Sequence, residues 1–254
     1  ATSTRPALMS DDSKVQFGHA EVTPEEKTRL VGGVFASVAQ RYDVMNDVMS
    51  LGTHRLMKRM AVEMTGAQPG DCVLDLAGGT GDMSALLAPA VAPGGCVVLA
   101  DINAAMMEVG RDRLLDEGHP YVRFCRTSAE ELSFASDSFD CATIAFGLRN
   151  FTDKLVAFEE LLRVLRPGGT LVVLEFSKPQ HPLLQSAYQA FQTFWPPIGR
   201  LVVNDDHSYR YLVESIAVHP NQEGLKLMME DAGFADVEYH NLAGGIAAIH
   251  TGVA

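Results

Sequence analysis

Basic residues are scarce in this chain: Lys and Arg number 20 against 32 Asp and Glu, a formal charge of −12 over 254 residues. Non-specific affinity for nucleic acid comes from Lys and Arg neutralising phosphates, so an acidic surface argues against that partner. Cysteine is also sparse. The four residues Cys72, Cys96, Cys125 and Cys141 form no CxxC pair and no His/Cys cluster. They read as buried thiols in a reducing compartment, not as a zinc site or a disulfide framework. No run approaches the roughly 18 apolar residues that span a bilayer. Residues 1–20 lack an apolar signal core and hold few basic residues, so a cytoplasmic setting is expected. Internal repeats and low-complexity segments are absent. The remaining composition, 47% hydrophobic and 20% charged, is that of a globular protein with a substantial core. The length favours one large α/β domain over two small ones.

Residues 1–20 read as a flexible tail. Thr23-Pro24-Glu25-Glu26 then carries the signals of a helix start: Thr as N-cap, Pro at the first helical position, and Glu completing a capping box. The helical pattern to about Met64 is expected to break at Gly32-Gly33 and again at Ser50-Leu51-Gly52. From Asp71 the period changes. Short β-branched runs at 72–76, 96–100, 122–125, 141–146 and 170–175 alternate with helical stretches at 82–90, 104–117 and 153–165. This alternation predicts a parallel sheet with right-handed crossovers. The helix at 153–165 is expected to bury Leu155, Phe158, Leu162 and Leu165 and to stop at Pro167-Gly168-Gly169. A last helix at 223–232 precedes two runs, 237–242 and 245–250, spaced closely enough to pair only as an antiparallel hairpin.

The most informative string is Val73-Leu74-Asp75-Leu76-Ala77-Gly78-Gly79-Thr80-Gly81-Asp82. A strand ends near Asp75, glycines turn the chain, and a helix opens at Asp82. Such a loop lets backbone approach a ligand closely and offers the unpaired N–H groups of a helix start. About 20 residues further on, a second strand ends in Asp101, where a carboxylate can accept both hydroxyls of an adenosine ribose. Two ligand classes fit, a dinucleotide and S-adenosylmethionine. A dinucleotide loop needs a third glycine for tight helix–strand packing, and this register supplies Ser84. A carboxylate at the head of the loop suits the ammonium of an amino acid better than a pyrophosphate.

The pattern D-x-x-x-G-x-G resembles the first motif of class I S-adenosylmethionine-dependent methyltransferases. That resemblance implies a Rossmann-like α/β fold, with a seven-stranded, mostly parallel sheet and a C-terminal antiparallel hairpin. It also implies cofactor contacts at Asp75, Gly79, Thr80, Gly81, Asp101, Ser128 and Ala129, the last two beside the adenine edge. Ser128 departs from the acidic or amide residue common at its position. Ser138-Phe139-Asp140-Cys141 and Arg163-Val164-Leu165-Arg166-Pro167-Gly168-Gly169 are phrases typical of the class.

Three longer strings go further: Arg41 to Gly52 (RYDVMNDVMSLG), Ala145 to Asn150 (AFGLRN), and Asn204 to Leu212 (NDDHSYRYL) continuing to His219-Pro220. With Leu174-Glu175-Phe176-Ser177-Lys178-Pro179, they closely resemble the ubiquinone/menaquinone biosynthesis C-methyltransferase family, over Phe17 to about Gly252. What the resemblance implies is methyl transfer from S-adenosylmethionine to a ring carbon of a polyprenylated benzoquinol or naphthoquinol precursor, without a metal. It also implies an N-terminal helical lid over 21–66 and a methyltransferase domain over 67–254, with a substrate-cap insertion around 179–220. Ala145 stands where family members often have serine.

Four residues are catalytic candidates. Arg149 follows the fourth strand, at the sheet edge where ligands of open α/β folds bind. As a permanent cation it is a poor base, but it suits stabilising a phenolate or holding a water; the alternative is an ion pair with Asp153 or Glu175 that anchors a loop. Tyr42 is a candidate for covering the methionine portion or touching the acceptor, against the alternative of a core tyrosine. Asn204 and Tyr209 are candidate acceptor contacts or relay partners, against a capped turn before a helix. Asp205 and Asp206 lack the second ligand cluster a metal needs, and His54 and His219 read as structural. Pro179 to Gly199 contains no charged residue and carries Leu183, Leu184, Tyr188, Phe191, Phe194 and Trp195. It is a candidate wall for a prenyl tail, a peripheral contact with the inner membrane (in a mitochondrial matrix if the source is eukaryotic), or a homodimer face. The competing readings are a methyltransferase for another small apolar acceptor, a nicotinamide oxidoreductase, and a non-catalytic scaffold.

Overall fold

A computed structural model describes residues 14–39, 46–47, 50, 52–182, 184–186 and 206–254, with the backbone alone of 206, 207 and 209. A short hairpin, β1 (Val15–Phe17) and β2 (Ala20–Val22), precedes helices α1 (Pro24–Val38) and α2 (Thr53–Met64). Then follow β3 (Cys72–Leu76), α3 (Asp82–Val91), β4 (Cys96–Asp101), α4 (Ala104–Asp116), β5 (Arg123–Arg126) and β6 (Phe139–Ala145). The chain continues through α5 (Lys154–Val164), β7 (Leu165–Phe176), α6 (Asp206–Val218), α7 (Gln222–Asp231), β8 (Ala235–Leu242) and β9 (Ala247–Val253).

β3 to β9 form one seven-stranded sheet in the order β5-β4-β3-β6-β7-β9-β8. Pairing is parallel from β5 to β7, and β9 enters antiparallel between β7 and β8. The seven-stranded, mostly parallel Rossmann-like sheet with a C-terminal antiparallel hairpin that the resemblance implied is the one observed. Strand order reverses between β3 and β6, and that gap is where open α/β sheets place their ligands. Pleating sends alternate side chains to opposite faces. On one face Leu74, Ile144 and Val173 pack with Phe158, Leu161 and Met229 of α5 and α7. On the other, Val73, Leu99 and Val172 pack with Ala61, Leu87 and Leu114 of α2, α3 and α4.

Several local expectations shift. The tail ends earlier than residue 20, because Val15–Phe17 pairs with Ala20–Val22. Thr23 does cap α1, its Oγ1 accepting from the Glu26 N–H at 3.2 Å. The helix nevertheless runs through Gly32-Gly33 without a break; helix propensity lost at two glycines is outweighed when the helix is packed on both sides of them. In α5 the buried face is Ala157, Phe158, Leu161 and Val164, and Leu155 points outward. Pro167-Gly168-Gly169 forms an irregularity inside β7, whose register with β6 shifts between Phe139 and Cys141. Cys72 and Cys96 are not separate thiols: they head β3 and β4, oppose each other in register, and are disulfide-bonded with Cα atoms 4.6 Å apart. They stand 24 positions apart across a βαβ crossover, so only strand register brings them together. Among the described residues no helix is long and apolar enough to cross a membrane.

A charged clasp joins three helices beneath the sheet edge. Lys58 of α2 donates to Asp82 of α3 at 2.6 Å, and Arg113 of α4 pairs with the other Asp82 oxygen. Burial alone would raise the Asp82 pKa, but Lys58 and Arg113 outweigh it and hold it at about 2. Its stabilising contribution is present above the ordinary value of 3.8 and is lost as pH falls through about 2. Asp82→Asn is therefore expected to lower the unfolding free energy at pH 7 by about 2 kcal/mol. Urea titration should show that deficit closing between pH 4 and 2; equal midpoints at pH 7 would show that the clasp adds nothing.

Candidate active site

Four parallel strands around the reversal point, β3 to β6, end at the rim of one cavity. Its floor is Asp75 to Thr80, from the end of β3 onward; Asp101 ends β4 and Ile102, Asn103 and Met106 follow it, and Thr127 to Glu130 follow β5. Ala145, Phe146 and Gly147 follow β6, with Asn150, Phe151 and Thr152 beyond them. Thr28, Val31, Gly32 and Phe35 of α1 close the remaining side.

Two contacts hold α1 there. Asn103 Nδ2 donates to the Gly32 carbonyl at 3.1 Å, and the buried Lys27 ammonium donates to the Phe151 carbonyl at 2.7 Å. Burial lowers the Lys27 pKa to about 8, with Lys154 adding to the effect.

The glycine loop is tied to both acidic residues the sequence singled out. Gly79 N–H donates to one Asp101 oxygen at 2.9 Å and Asn103 N–H to the other at 2.8 Å. Each oxygen keeps a further lone pair for the cavity. Asp75 is 1% exposed, with Ser84 donating to one oxygen at 2.6 Å and Thr143 to the other at 3.2 Å. Ser84 thus occupies the third-glycine position of a dinucleotide loop in order to serve the carboxylate.

Of the expected cofactor residues, Asp75, Gly79, Thr80, Asp101, Ser128 and Ala129 all line the cavity. Gly81 does not. It caps α3 at φ 84°, and a Cβ there would lie 2.8 Å from Leu114, so its role is backbone shape and helix packing. Gly78 lines the cavity in its place. Ser128 does not offer its proton to a ligand, since its Oγ donates to Glu130 Oε2 at 2.5 Å.

Arg149 takes the alternative placement, the loop-anchoring ion pair with Glu175, and not that of a cation facing the acceptor. Its guanidinium is 3% exposed, donates to Glu175 Oε1 at 2.9 Å and to the Phe146 carbonyl, and lies 5.5 Å from the Phe176 ring centroid. Its backbone N–H reaches the other Glu175 oxygen at 3.1 Å, and it is absent from the cavity lining. A buried charge must be paired, and the end of β7 delivers Glu175 beside the turn after β6. Arg149 therefore anchors the Leu148–Asn150 turn. Phe146, at φ 57°, is held in the left-handed region by that turn. Gly147 follows because a Cβ there would sit 2.6 Å from Ala77 Cβ, between the ends of β3 and β6.

Tyr42 and Asn204 lie outside the described residues, as does the side chain of Tyr209, whose backbone belongs to α6. Most of the uncharged segment 179–199 lies outside them too. His54 and His219 are buried and absent from the cavity lining. Asn103, Met106, Lys58, Phe35 and Asn150 line the cavity without having been singled out. Asn103 could have been found as the N-cap of α4 immediately after the ribose-type carboxylate; the others carry no local signal.

Charge decides what the cavity can hold. Asp75, Asp82, Asp101 and Glu130 line it, against Lys58, which Asp82 already neutralises. With Arg149 spent on Glu175, the field favours a cation. The profile of the ubiE/COQ5 methyltransferase family matches residues 22–254. The chain belongs to this family. It is similar to the ubiquinone/menaquinone biosynthesis C-methyltransferase UbiE of Teredinibacter turnerae, 53% identical over 246 residues covering 96% of this chain and 99% of that one. The same enzyme of Pseudomonas syringae pv. tomato is 55% identical over 239 residues, covering 93% of each chain. Among solved structures, a SAM-dependent methyltransferase from Thermotoga maritima superposes with a TM-score of 0.62 at 18% identity, over 87% of this chain and 98% of that one. A phosphoethanolamine N-methyltransferase of Haemonchus contortus, solved with S-adenosylhomocysteine, gives 0.59 at 16% identity over 78% and 52% of the two chains. These structures share the fold.

Burial pushes the Asp75 carboxyl up to about 6, against the hydrogen bonds from Ser84 and Thr143 and the attraction of Lys58. A raised value favours the folded state while the group is protonated. That contribution is complete below 3.8 and is lost as pH rises through about 6. Asp75→Asn carries no charge, so it is expected to gain on the unsubstituted protein by up to about 3 kcal/mol between pH 4 and 7. Denaturant titrations across that range should show the curves converging or crossing; parallel curves would mean that Asp75 ionises at no cost.

Proposed function

We propose that this methyltransferase transfers a methyl group from S-adenosylmethionine to a ring carbon of a polyprenylated benzoquinol or naphthoquinol precursor, in ubiquinone or menaquinone biosynthesis. The observation that carries the reading is the division of one cavity into two chemistries. Toward β3, β4 and β5 it presents carboxylates and a glycine loop; toward β6 and α1 it presents Phe35, Val31, Phe146 and Phe151. The relatives' shared name and the family match over nearly the whole chain support the same assignment.

The residues present fit an adenosyl donor. Asp101, with one backbone donor on each oxygen, keeps acceptor capacity for two ribose hydroxyls. Ile102, Met106 and Ala129 supply apolar walls suited to a flat base, and the backbone of Gly78 and Gly79 suits close approach of the amino-acid portion. Asp75 favours an ammonium, and its carboxylate would oppose the pyrophosphate of a nicotinamide cofactor. When bound, S-adenosylmethionine supplies an electrophilic methyl group on a cationic sulfur. Phe146, Phe151 and Phe35 exclude water from the acceptor ring, which makes a carbon nucleophile more reactive once a ring hydroxyl has lost its proton. Contacts between α1 and the loops after β4 and β6 hold both reactants in register. Tyr42, covering the methionine portion or touching the acceptor, and Asn204 and Tyr209, as acceptor contacts or relay partners, are assigned on the strength of the motifs that contain them. A prenylated acceptor resides in a bilayer, so the protein is read as meeting it at the membrane surface, through the uncharged segment 179–199.

The test is incubation with methyl-labelled S-adenosylmethionine and a short-tailed demethylated quinol, followed by product identification. Label on a ring carbon is the expected result; label on oxygen, or none, would overturn the assignment. Asp101→Ala should weaken S-adenosylmethionine binding by about tenfold or more, since hydrogen bonds to a charged group are worth about 1.5–3 kcal/mol. Equilibrium dialysis returning the original affinity would remove Asp101 from the ribose site.

A further inference from the structure

Asn150 lies on the apolar side of the cavity, between Gly147 and Phe151. Its Oδ1 accepts a hydrogen bond from Tyr211 Oη at 3.0 Å. Its Nδ2 has no hydrogen-bond partner among the described residues. Tyr211 projects from α6 and is 5% exposed, and burial pushes its hydroxyl up to about 12, so it remains protonated across the physiological range. The Phe17 ring of β1 stacks on it, with centroids 4.5 Å apart and planes at 20°. Beside that stack, His19 N–H donates to Glu214 Oε2 at 3.4 Å, so the N-terminal hairpin closes on α6 at two points.

A carboxamide has two ends of opposite character: the oxygen accepts and the nitrogen donates. An unrestrained Asn150 would turn either one toward a ligand. A phenolic proton aimed at Oδ1 removes that ambiguity. Charge makes the choice useful, because a neutral donor stabilises a developing oxyanion without repelling a cationic co-substrate in the same cavity. Arg149, the nearest candidate cation in the sequence, is neutralised by Glu175 and turned away from the cavity.

We propose that Tyr211 is a positioning residue: by donating to Asn150 Oδ1 it aims Nδ2 into the cavity, where the amide donates to the acceptor's ring oxygen as that oxygen becomes anionic, and Phe17 holds the Tyr211 ring in place. This inference rests on the quinol reading of the same site. It gives the N-terminal hairpin a function in catalysis, although the hairpin is absent from the cavity lining.

The test compares Tyr211→Phe, Asn150→Ala and the double variant with the unsubstituted enzyme, using the labelled short-tailed quinol. Tyr211→Phe keeps the stack and loses one hydroxyl. Its kcat is expected to fall about 5- to 10-fold, with KM for S-adenosylmethionine and the thermal midpoint unchanged. The acid limb of its kcat–pH profile should move up by about 0.5–1 unit, because the ring oxygen loses a donor that favours its anion. Asn150→Ala should fall further, and adding Tyr211→Phe to it should change nothing more, since the hydroxyl acts only through the amide. Phe17→Ala should lower kcat partway, and Phe17→Tyr, which keeps the stack, should restore it. An unchanged kcat in Tyr211→Phe, the same fold-loss in both backgrounds, or a loss accompanied by a lower thermal midpoint and an unmoved pH limb would each overturn the proposal. An unsubstituted enzyme that methylates no quinol would bring down the substrate reading and this inference together, whereas active enzyme with an indifferent Tyr211 would bring down this inference alone.

Discussion

Asp75 ends up with one oxygen on Thr143 of β6 and the other on Ser84 of α3, in the gap where strand order reverses. Through those two bonds a single carboxylate joins two parallel strands and a crossover helix at the point where the cavity opens. Its position follows from pleating. Val73 and Asp75 face α3 while Leu74 and Leu76 face α5 and α7, so the acid at that register must be satisfied by the helix above it. A charge this deep is costly unless hydrogen-bonded. The hydroxyls of Ser84 and Thr143 reduce that cost without neutralising the group, which leaves a negative field at the head of the glycine loop.

The rest of the site is arranged around the same electrostatic fact. Three cations beside the cavity are engaged by the protein: Lys58 by Asp82, Arg149 by Glu175, and Lys27 by the Phe151 carbonyl. The acidic side chains Asp75 and Asp101 are satisfied by hydroxyl and backbone donors instead of by cations. Hydrogen-bonded carboxylates beside pre-paired cations leave a cavity that attracts positive charge while its apolar walls keep water out. These are the conditions that a cationic methyl donor and a lipophilic acceptor share.

Attachment of the N-terminal elements links the two halves of the cavity. α1 is tied to the loop after β4 through Gly32 and to the loop after β6 through Lys27, so it touches the surroundings of both halves of the cavity. The β1–β2 hairpin docks on α6 through the Phe17–Tyr211 stack, and Tyr211 reaches back to Asn150. A segment that reads in sequence as tail and irregular helix is thereby joined to the turn on the apolar side of the cavity.

The strand–helix alternation after Asp71, the terminal hairpin, the Thr23 cap, the glycine loop and the carboxylate at Asp101 could all be read from the sequence, because each depends on periodicity or on chemistry within a few residues. The face of α5, the continuity of α1 through two glycines and the start of β7 at Leu165 could not, since packing overrode local propensity at all three. The pairing of Cys72 with Cys96, the engagement of Arg149 by Glu175, the removal of Gly81 from the cavity and the Tyr211–Asn150 bond were decided by tertiary structure alone. Each depends on residues far apart in the chain that strand register or helix docking brings together; Glu175 was one of two partners the sequence offered Arg149, and only the placement of β7 beside the turn after β6 chose between them. By itself the sequence determined the fold class and the ligand chemistry of the loop; which side chains face that ligand and which are spent holding the walls was settled only when the sheet and helices closed on one another.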